Sequence, residues 1–320
     1  MNFYIIFYSQ LYNKIVKEKV SCMSIAKCNV TVNSSGEEVQ KHGTSEFPIA
    51  FYEENLSSYS IPWHWHEDFE IIWVISGSIK VSVNSTEHIL NKNQGIFINA
   101  GFLHSIHATN DGEYVLRSIV FHPRLIGSID SIYWQNYIEP IIQNKNLPYI
   151  LLDPFINWHD KILACSLSVW NRLYNTENGF EIYVRNELSQ LILIVLTNHS
   201  ICETKPSIRN LRNADRIKTM LQYIQMNFSE TITISTLARV ALISESEVLR
   251  CFHSTIHSTP NQYLKQYRIQ KACRMLIDTD MTSIDIAFQC GFQSSSYFTK
   301  TFREQIGCTP LEYRKRDQQC

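Results

Sequence analysis

The apolar positions of this chain change their period along its length. Between Phe47 and His122 they fall in short runs broken by turn residues. That pattern predicts strands at Ile49–Tyr52, Phe69–Ser76, Ser78–Val83, His88–Leu90, Gly95–Ile98, Ser105–Ala108 and Tyr114–Phe121. Asn84-Ser85 and Asn110-Asp111-Gly112 supply turn chemistry between them. Many short strands so closely spaced predict a small β-barrel or jelly roll. After residue 126 the spacing becomes helical. Phe155–Asn175 and Gly179–Asn198 read as two helices. The second has a stripe of Leu188, Leu191, Ile192, Val195 and Leu196, widened by Leu193 and Ile194. Such a stripe serves either an intramolecular core or a helical dimer interface.

The last third is helical and repeats itself. Ser283 to Arg316 reads as a short helix, a tight turn at Gly291 and a second helix capped by Ser294. Phe298, Phe302 and Ile306 recur at i, i+4 and i+8 and mark its buried stripe. Ser295, Ser296, Thr299 and Lys300 form a polar stripe beside it, and Thr309-Pro310 restarts the chain as another helix. This is a helix-turn-helix, whose second helix can enter the DNA major groove. Shifted by about 50 residues, Phe302, Ile306, Thr309, Pro310 and Tyr313 meet Phe252, Ile256, Thr259, Pro260 and Tyr263. Beyond the turn the pairing is Ala287 with Ala238. In the first copy Ser244-Glu245-Ser246-Glu247 has the S-x-x-E form of a capping box.

Two such units joined by a helix from Asn261 to Ile277 resemble the DNA-binding domain of the AraC/XylS family of transcription regulators. The resemblance covers Leu211 to Arg316 and rests on GF-x-S-x-S-Y-F-x-K-x-F-R-x-x-x-G-x-T-P-x-E-Y-R. It implies that Ser246, Leu249, Arg250 and His253 face the groove in the first unit. In the second unit the same role falls to Ser295, Ser296, Thr299 and Lys300, with Arg303, Arg314 and Lys315 on backbone phosphates. The first unit departs from the pattern: Leu242 stands at the turn, His257 replaces the glycine found at Gly307, and Glu245 and Glu247 would repel phosphate.

His64-Trp65-His66, Glu70 and Gly77 give H-x-H-x3-E-x6-G, and Gly101 and His104 give G-x2-H. These resemble the two cupin motifs in the form common to sugar-sensing AraC-type regulators, with Asn99 and Ala100 departing from the second. The resemblance implies an effector pocket lined by Trp63, His64, His66, Glu70 and His104, taking a small molecule such as a carbohydrate, with no cofactor. In enzymatic cupins the four motif residues hold a divalent metal. On chemistry alone, three imidazoles and a carboxylate suit Fe(II), Mn(II), Ni(II) or Zn(II). Metal binding and plain packing of the barrel mouth stay open beside the effector pocket.

Charge sharpens the division. From Pro206 onward 15 Lys and Arg stand against 10 Asp and Glu, while the preceding 205 residues hold 14 and 20. A basic C-terminal third on an acidic body fits a nucleic-acid-binding module. Nine scattered cysteines without C-x-x-C spacing argue for a reducing compartment. Phe3 to Tyr8 is too short to span a membrane, and Met23 is an alternative start.

The expectation is therefore an α+β, two-domain, cytoplasmic protein that is not an enzyme. Its segments are an N-terminal extension (1–45), a cupin-like effector-binding β-barrel (46–125), a helical linker and dimerisation segment (126–205, closing on Lys205-Pro206-Ser207) and an all-α double helix-turn-helix (206–320). It would act as a homodimeric, ligand-responsive regulator, by default an activator, on a double-stranded DNA operator with RNA polymerase. The rival readings are a metal-dependent cupin enzyme fused to a DNA-binding domain and a stress regulator without an effector.

Overall fold

The computed structural model describes residues 42–56, 60–109, 113–198 and 208–317. The alternative start at Met23 and the turn Asn110-Asp111-Gly112 lie outside them. Nine strands form two antiparallel sheets: β1 (Ile49–Asn55), β2 (Ile61–His64), β3 (Phe69–Ser76), β4 (Ser78–Val83), β5 (Thr86–Asn91), β6 (Gly95–Ile98), β7 (His104–Ala108), β8 (Val115–Phe121) and β9 (Tyr149–Leu152). The five-stranded sheet runs β1-β8-β3-β6-β9 and the four-stranded sheet β2-β7-β4-β5. Among the described residues they make an open sandwich, not a closed ring.

The two-residue period of a strand gives each face of the larger sheet its own core. Ile72, Val74, Ile96, Ile98 and Leu116 point between the sheets and meet Ile79, Val81, Val83 and Ile106. Phe69, Ile71, Trp73, Phe97, Ile119 and Phe121 point the other way. There they are covered by a hairpin of two helices, α2 (Asn157–Asn175) and α3 (Phe180–Asn198), which follow a short helix, α1 (Glu139–Ile142). Leu188, Leu191, Ile192 and Val195 are fully buried in that core. These four positions of the α3 stripe therefore serve the intramolecular core, while Leu193 on the same helix is exposed.

The structure also adds strands that the pattern did not reveal. β2 is missed because it is only four residues long and Pro62 and His64 interrupt its apolar pattern. β9 lies inside the segment expected to be helical, and it extends the larger sheet by pairing with β6 (Ile96↔Leu151, Phe97↔Ile150).

The C-terminal part is all helix: α4 (Ile208–Met226), α5 (Ile234–Val240), α6 (Glu245–Ile256), α7 (Pro260–Asp278), α8 (Ser283–Gln289), α9 (Ser295–Ile306) and α10 (Pro310–Asp317). α5–α6 and α8–α9 are the two helix-turn-helix units. Ile217, Met220, Leu221, Ile224, Val248, Phe252 and Tyr263 form the first core. Ile269, Ala272, Ile286, Ala287, Phe298 and Phe302 form the second. α7 serves both and begins with a reciprocal capping box of Thr259 and Gln262.

Turn geometry repeats between the units while turn chemistry does not. Gly291 (φ +78°) and Gly307 (φ +82°) bound the second recognition helix, where the first has Leu242 (φ +54°) and His257 (φ +50°). A Cβ on Gly291 would lie 2.5 Å from Ser229 O, whereas Leu242 is 90% exposed. Left-handed backbone at a non-glycine residue is destabilising, and an exposed Leu gains little packing in return. Leu242→Gly should therefore raise stability by about 0.5–1 kcal/mol, measured by urea unfolding; a loss of stability would show that the Leu242 side chain is held by contacts.

Candidate functional site: a buried histidine–glutamate pocket and two recognition helices

β2 and the residues after it alternate imidazole and indole. His64 and His66 turn inward, and Trp63 and Trp65 turn out towards the C-terminal domain. Glu70 enters from β3 and His104 from the start of β7. All four are buried, and their ligating atoms lie within 4.8 Å of one another. His104 Nε2 is 3.0 Å and His66 Nε2 3.4 Å from Glu70 Oε2.

The other ring nitrogens are committed. Each Nδ1 donates to a backbone carbonyl: His64 to Pro62 O at 2.8 Å, His66 to Asp68 O at 3.0 Å and His104 to Phe102 O at 2.8 Å. A carbonyl only accepts, so each of these Nδ1 atoms carries a proton, and each ring turns its Nε2 edge into the cluster. Ring nitrogens this close to a carboxylate are held there only where a proton or a cation lies between them. Burial alone would raise the Glu70 carboxyl, but hydrogen bonds and charge from His104 and His66 outweigh it and hold it well below its ordinary value. The donor set and its backbone-fixed tautomers fit a divalent metal.

The cavity in front of these groups measures about 20 Å³ and is lined by His42, Tyr52, Glu54, Ile61, His64, His66, Glu70, Ser118 and Val120. Sites for drug-sized ligands run to several hundred Å³, whereas this volume suits an ion or one water. Trp63, expected in the lining, is 8% exposed and packs instead with Leu103 against Ile217, Met220, Leu221 and Ile224 of α4. The alternation of β2 sends it there. His42, within the N-terminal extension, lies edge-on to His66, ring centroids 5.3 Å apart, with Nδ1 2.7 Å from Tyr52 OH. Nothing in its spacing marked it, because it reaches the pocket from a stretch without regular structure.

In the C-terminal domain the predicted groove-facing side chains share exposed helix faces. Ser246, Leu249, Arg250 and His253 are exposed on α6 while Val248 and Phe252 are buried. On α9, Ser296, Thr299, Lys300 and Arg303 are exposed and Ser295 is half-buried. With Ser295 they line an open groove of about 740 Å³. Ser244 and Ser294 cap the two helices by accepting from Glu247 N at 3.3 Å and Tyr297 N at 3.4 Å. The Glu247 carboxylate, expected to complete a capping box, turns instead to Arg250 at 3.2 Å and Arg216 at 3.4 Å. The cation of the first recognition helix therefore carries an anionic partner. Lys300 meets Glu304 only at 4.0 Å and is three-quarters exposed, an arrangement that holds it weakly.

Arg314 was expected on phosphate. It donates to Leu276 O at 2.8 Å, Thr279 O at 3.3 Å and Met281 O at 2.6 Å, closing the end of α7. Lys315 is exposed.

Comparisons with known proteins bear on both halves. A family model described as an AraC-like ligand binding domain matches residues 46–192, and one described as a helix-turn-helix domain matches residues 237–316. The chain belongs to the AraC family of transcription regulators. It is a transcription regulator with a ligand-binding domain and a helix-turn-helix DNA-binding domain. It is 27% identical to an uncharacterized HTH-type transcriptional regulator, YdeC, of Bacillus subtilis (strain 168), over 90% of this chain and 98% of that one. It is 24% identical to the melibiose operon regulatory protein of Escherichia coli (strain K12), over 80% and 84%. To the HTH-type transcriptional activator RhaR of Mannheimia succiniciproducens it is 23% identical, over 80% and 87%. A crystal structure of ToxT from Vibrio cholerae O395 aligns with a TM-score of 0.45 at 15% identity, over 83% of this chain and 96% of that one. Among the described residues no helix is long and apolar enough to cross a membrane.

Two basic side chains with opposite roles follow from this geometry. Lys300→Ala should weaken binding to operator DNA about fivefold to tenfold with an unchanged melting temperature. Arg314→Ala should lose about 2 kcal/mol of stability through three stranded carbonyls. Gel-shift titration at fixed salt and thermal melting of both variants check the pair; an unchanged affinity for Lys300→Ala would remove it from the interface.

Proposed function

We propose that the protein activates transcription from an operator read by α6 and α9, in response to a small molecule taken by the pocket behind His64, His66, Glu70 and His104. The observation that supports it is the joining of two exposed recognition-helix faces to one buried cluster of titratable groups. α9 is the stronger reader: its hydroxyls donate or accept at base edges, and Lys300 and Arg303 add positive charge. α6 contributes Arg250, moderated by Glu247, and apolar contact from Leu249, which suits a thymine methyl. Names of two relatives, a melibiose operon regulatory protein and an activator, support a carbohydrate effector and activation through RNA polymerase. A cavity of about 20 Å³ requires the pocket to open for a sugar, with His42 and Tyr52 as the side chains in its way. Two half-sites would favour a dimer.

A second reading is favoured by the convergence of three Nε2 atoms on Glu70. A divalent cation would be held by His64, His66, Glu70 and His104 in the volume that the cavity provides. The ion would supply positive charge that locks four side chains from two sheets together.

Selection of DNA from a random library with the full chain should enrich one bipartite sequence, and transcription from it should rise when the correct sugar is added. Failure to enrich any sequence would overturn the regulatory reading. Metal analysis of the purified chain separates the two pocket occupants. Stoichiometric metal that disappears in His66→Ala establishes the cation, and its absence together with a sugar-induced rise in melting temperature establishes the carbohydrate.

A further inference from the structure

Helix α4 grips the ligand-binding domain at two backbone carbonyls, and both adjoin the pocket imidazoles. Lys218 Nζ donates to Gly101 O and lies 4.7 Å from the centroid of the Trp65 ring. Two turns along the same helix face, Gln225 Nε2 donates to Trp63 O at 3.0 Å and to Tyr263 OH at 2.7 Å. Trp63 and Trp65 bracket His64, and Trp65 stands between His64 and His66. Gly101 N–H donates to His66 O at 2.8 Å, so the turn that leads to His104 is tied to the His66 backbone. Between the two grips Ile217, Met220, Leu221 and Ile224 pack on Trp63 and Leu103. The backs of three of the four pocket residues therefore rest on one helix.

The same helix touches the first DNA reader. Arg216, two residues from Lys218 and so on another face, meets Glu247 at 3.4 Å, and Glu247 meets Arg250 at 3.2 Å. Asn213 Oδ1 accepts from Cys251 Sγ of α6 at 3.8 Å.

We propose that α4 relays the state of the pocket to recognition helix α6, with Lys218 as the latch that couples them. The proposal rests on the pocket being the effector site and names how its occupancy reaches the DNA-binding half. Neighbouring residues of an extended strand project to opposite faces, so a shift of His64 or His66 towards an occupant carries Trp65 and the Gly101 peptide with it. Lys218 holds both. Its contact is dry: burial, with Lys145 adding to it against Asp215, lowers the ammonium to about 8. A desolvated ammonium that loses the Gly101 carbonyl or the Trp65 face has to move to find another partner, and α4 moves with it.

Amide hydrogen exchange on the full chain tests the latch without a known effector. Glu70→Gln alters the charge of the pocket at nearly constant shape, and Lys218→Met keeps the aliphatic stem while removing the ammonium. Glu70→Gln should change exchange rates in α4 and α6 by about threefold or more in the otherwise native chain. In the Lys218→Met background that change should vanish from both helices while the strands around the pocket still respond. Unchanged α4 in Glu70→Gln, or an equal response with and without Lys218, overturns the proposal. Should Glu70→Gln lower the melting temperature of the whole chain, His66→Asn perturbs the same pocket from the partner side, and the same comparison with and without Lys218 applies. A chain that enriches no DNA sequence and answers no sugar or metal counts against the regulatory reading, whereas the exchange pattern judges the latch alone.

Discussion

The alternation of imidazole and indole from Trp63 to His66 is the constraint on which the rest of the molecule depends. A strand must present successive side chains to opposite sides. Two imidazoles turned into the sandwich therefore oblige two indoles to face out, where large apolar surface has to be covered. α4 covers it. The ligand-binding domain and the first helix-turn-helix share a buried surface for that reason, and Leu103, before His104, joins it from the neighbouring strand. The backbone that carries the pocket imidazoles is thereby in contact with the first DNA-reading unit.

Inside the sandwich the decisive interaction is electrostatic. Three Nδ1–H groups donate to carbonyls of their own turns, which points three Nε2 atoms at one buried carboxylate. Removing such groups from water costs several kcal/mol unless charge is matched. The arrangement demands a cation, and whether it is a proton or a metal sets the chemistry of the site. The small cavity agrees with that demand, because little space remains once four side chains converge.

The two DNA-reading units obey one geometry with different chemistry. Left-handed residues fall at the same turns in both, as glycines in the second and as Leu242 and His257 in the first. In the first recognition helix Glu247 draws Arg250 and Arg216 to itself, so its charge is engaged within the protein as well as facing the groove. The second helix keeps Lys300 and Arg303 exposed beside hydroxyls. That asymmetry suits a reader in which one half grips DNA and the other is tied to the ligand-binding domain.

The sequence by itself determined most of the local elements, the repeat of about 50 residues, the recognition-helix faces and the identity of the four pocket residues. Period, capping chemistry and spacing are properties of neighbouring residues. Only the tertiary structure decided where long-range partners meet. It placed Trp63 on α4 instead of in the pocket, brought His42 to His66 and spent the α3 stripe on the intramolecular core. It also turned Arg314 from phosphate to the end of α7 and added β9 to the sheet. Each of these depends on which surface another part of the chain brings to cover a side chain, and no spacing along one segment encodes that meeting.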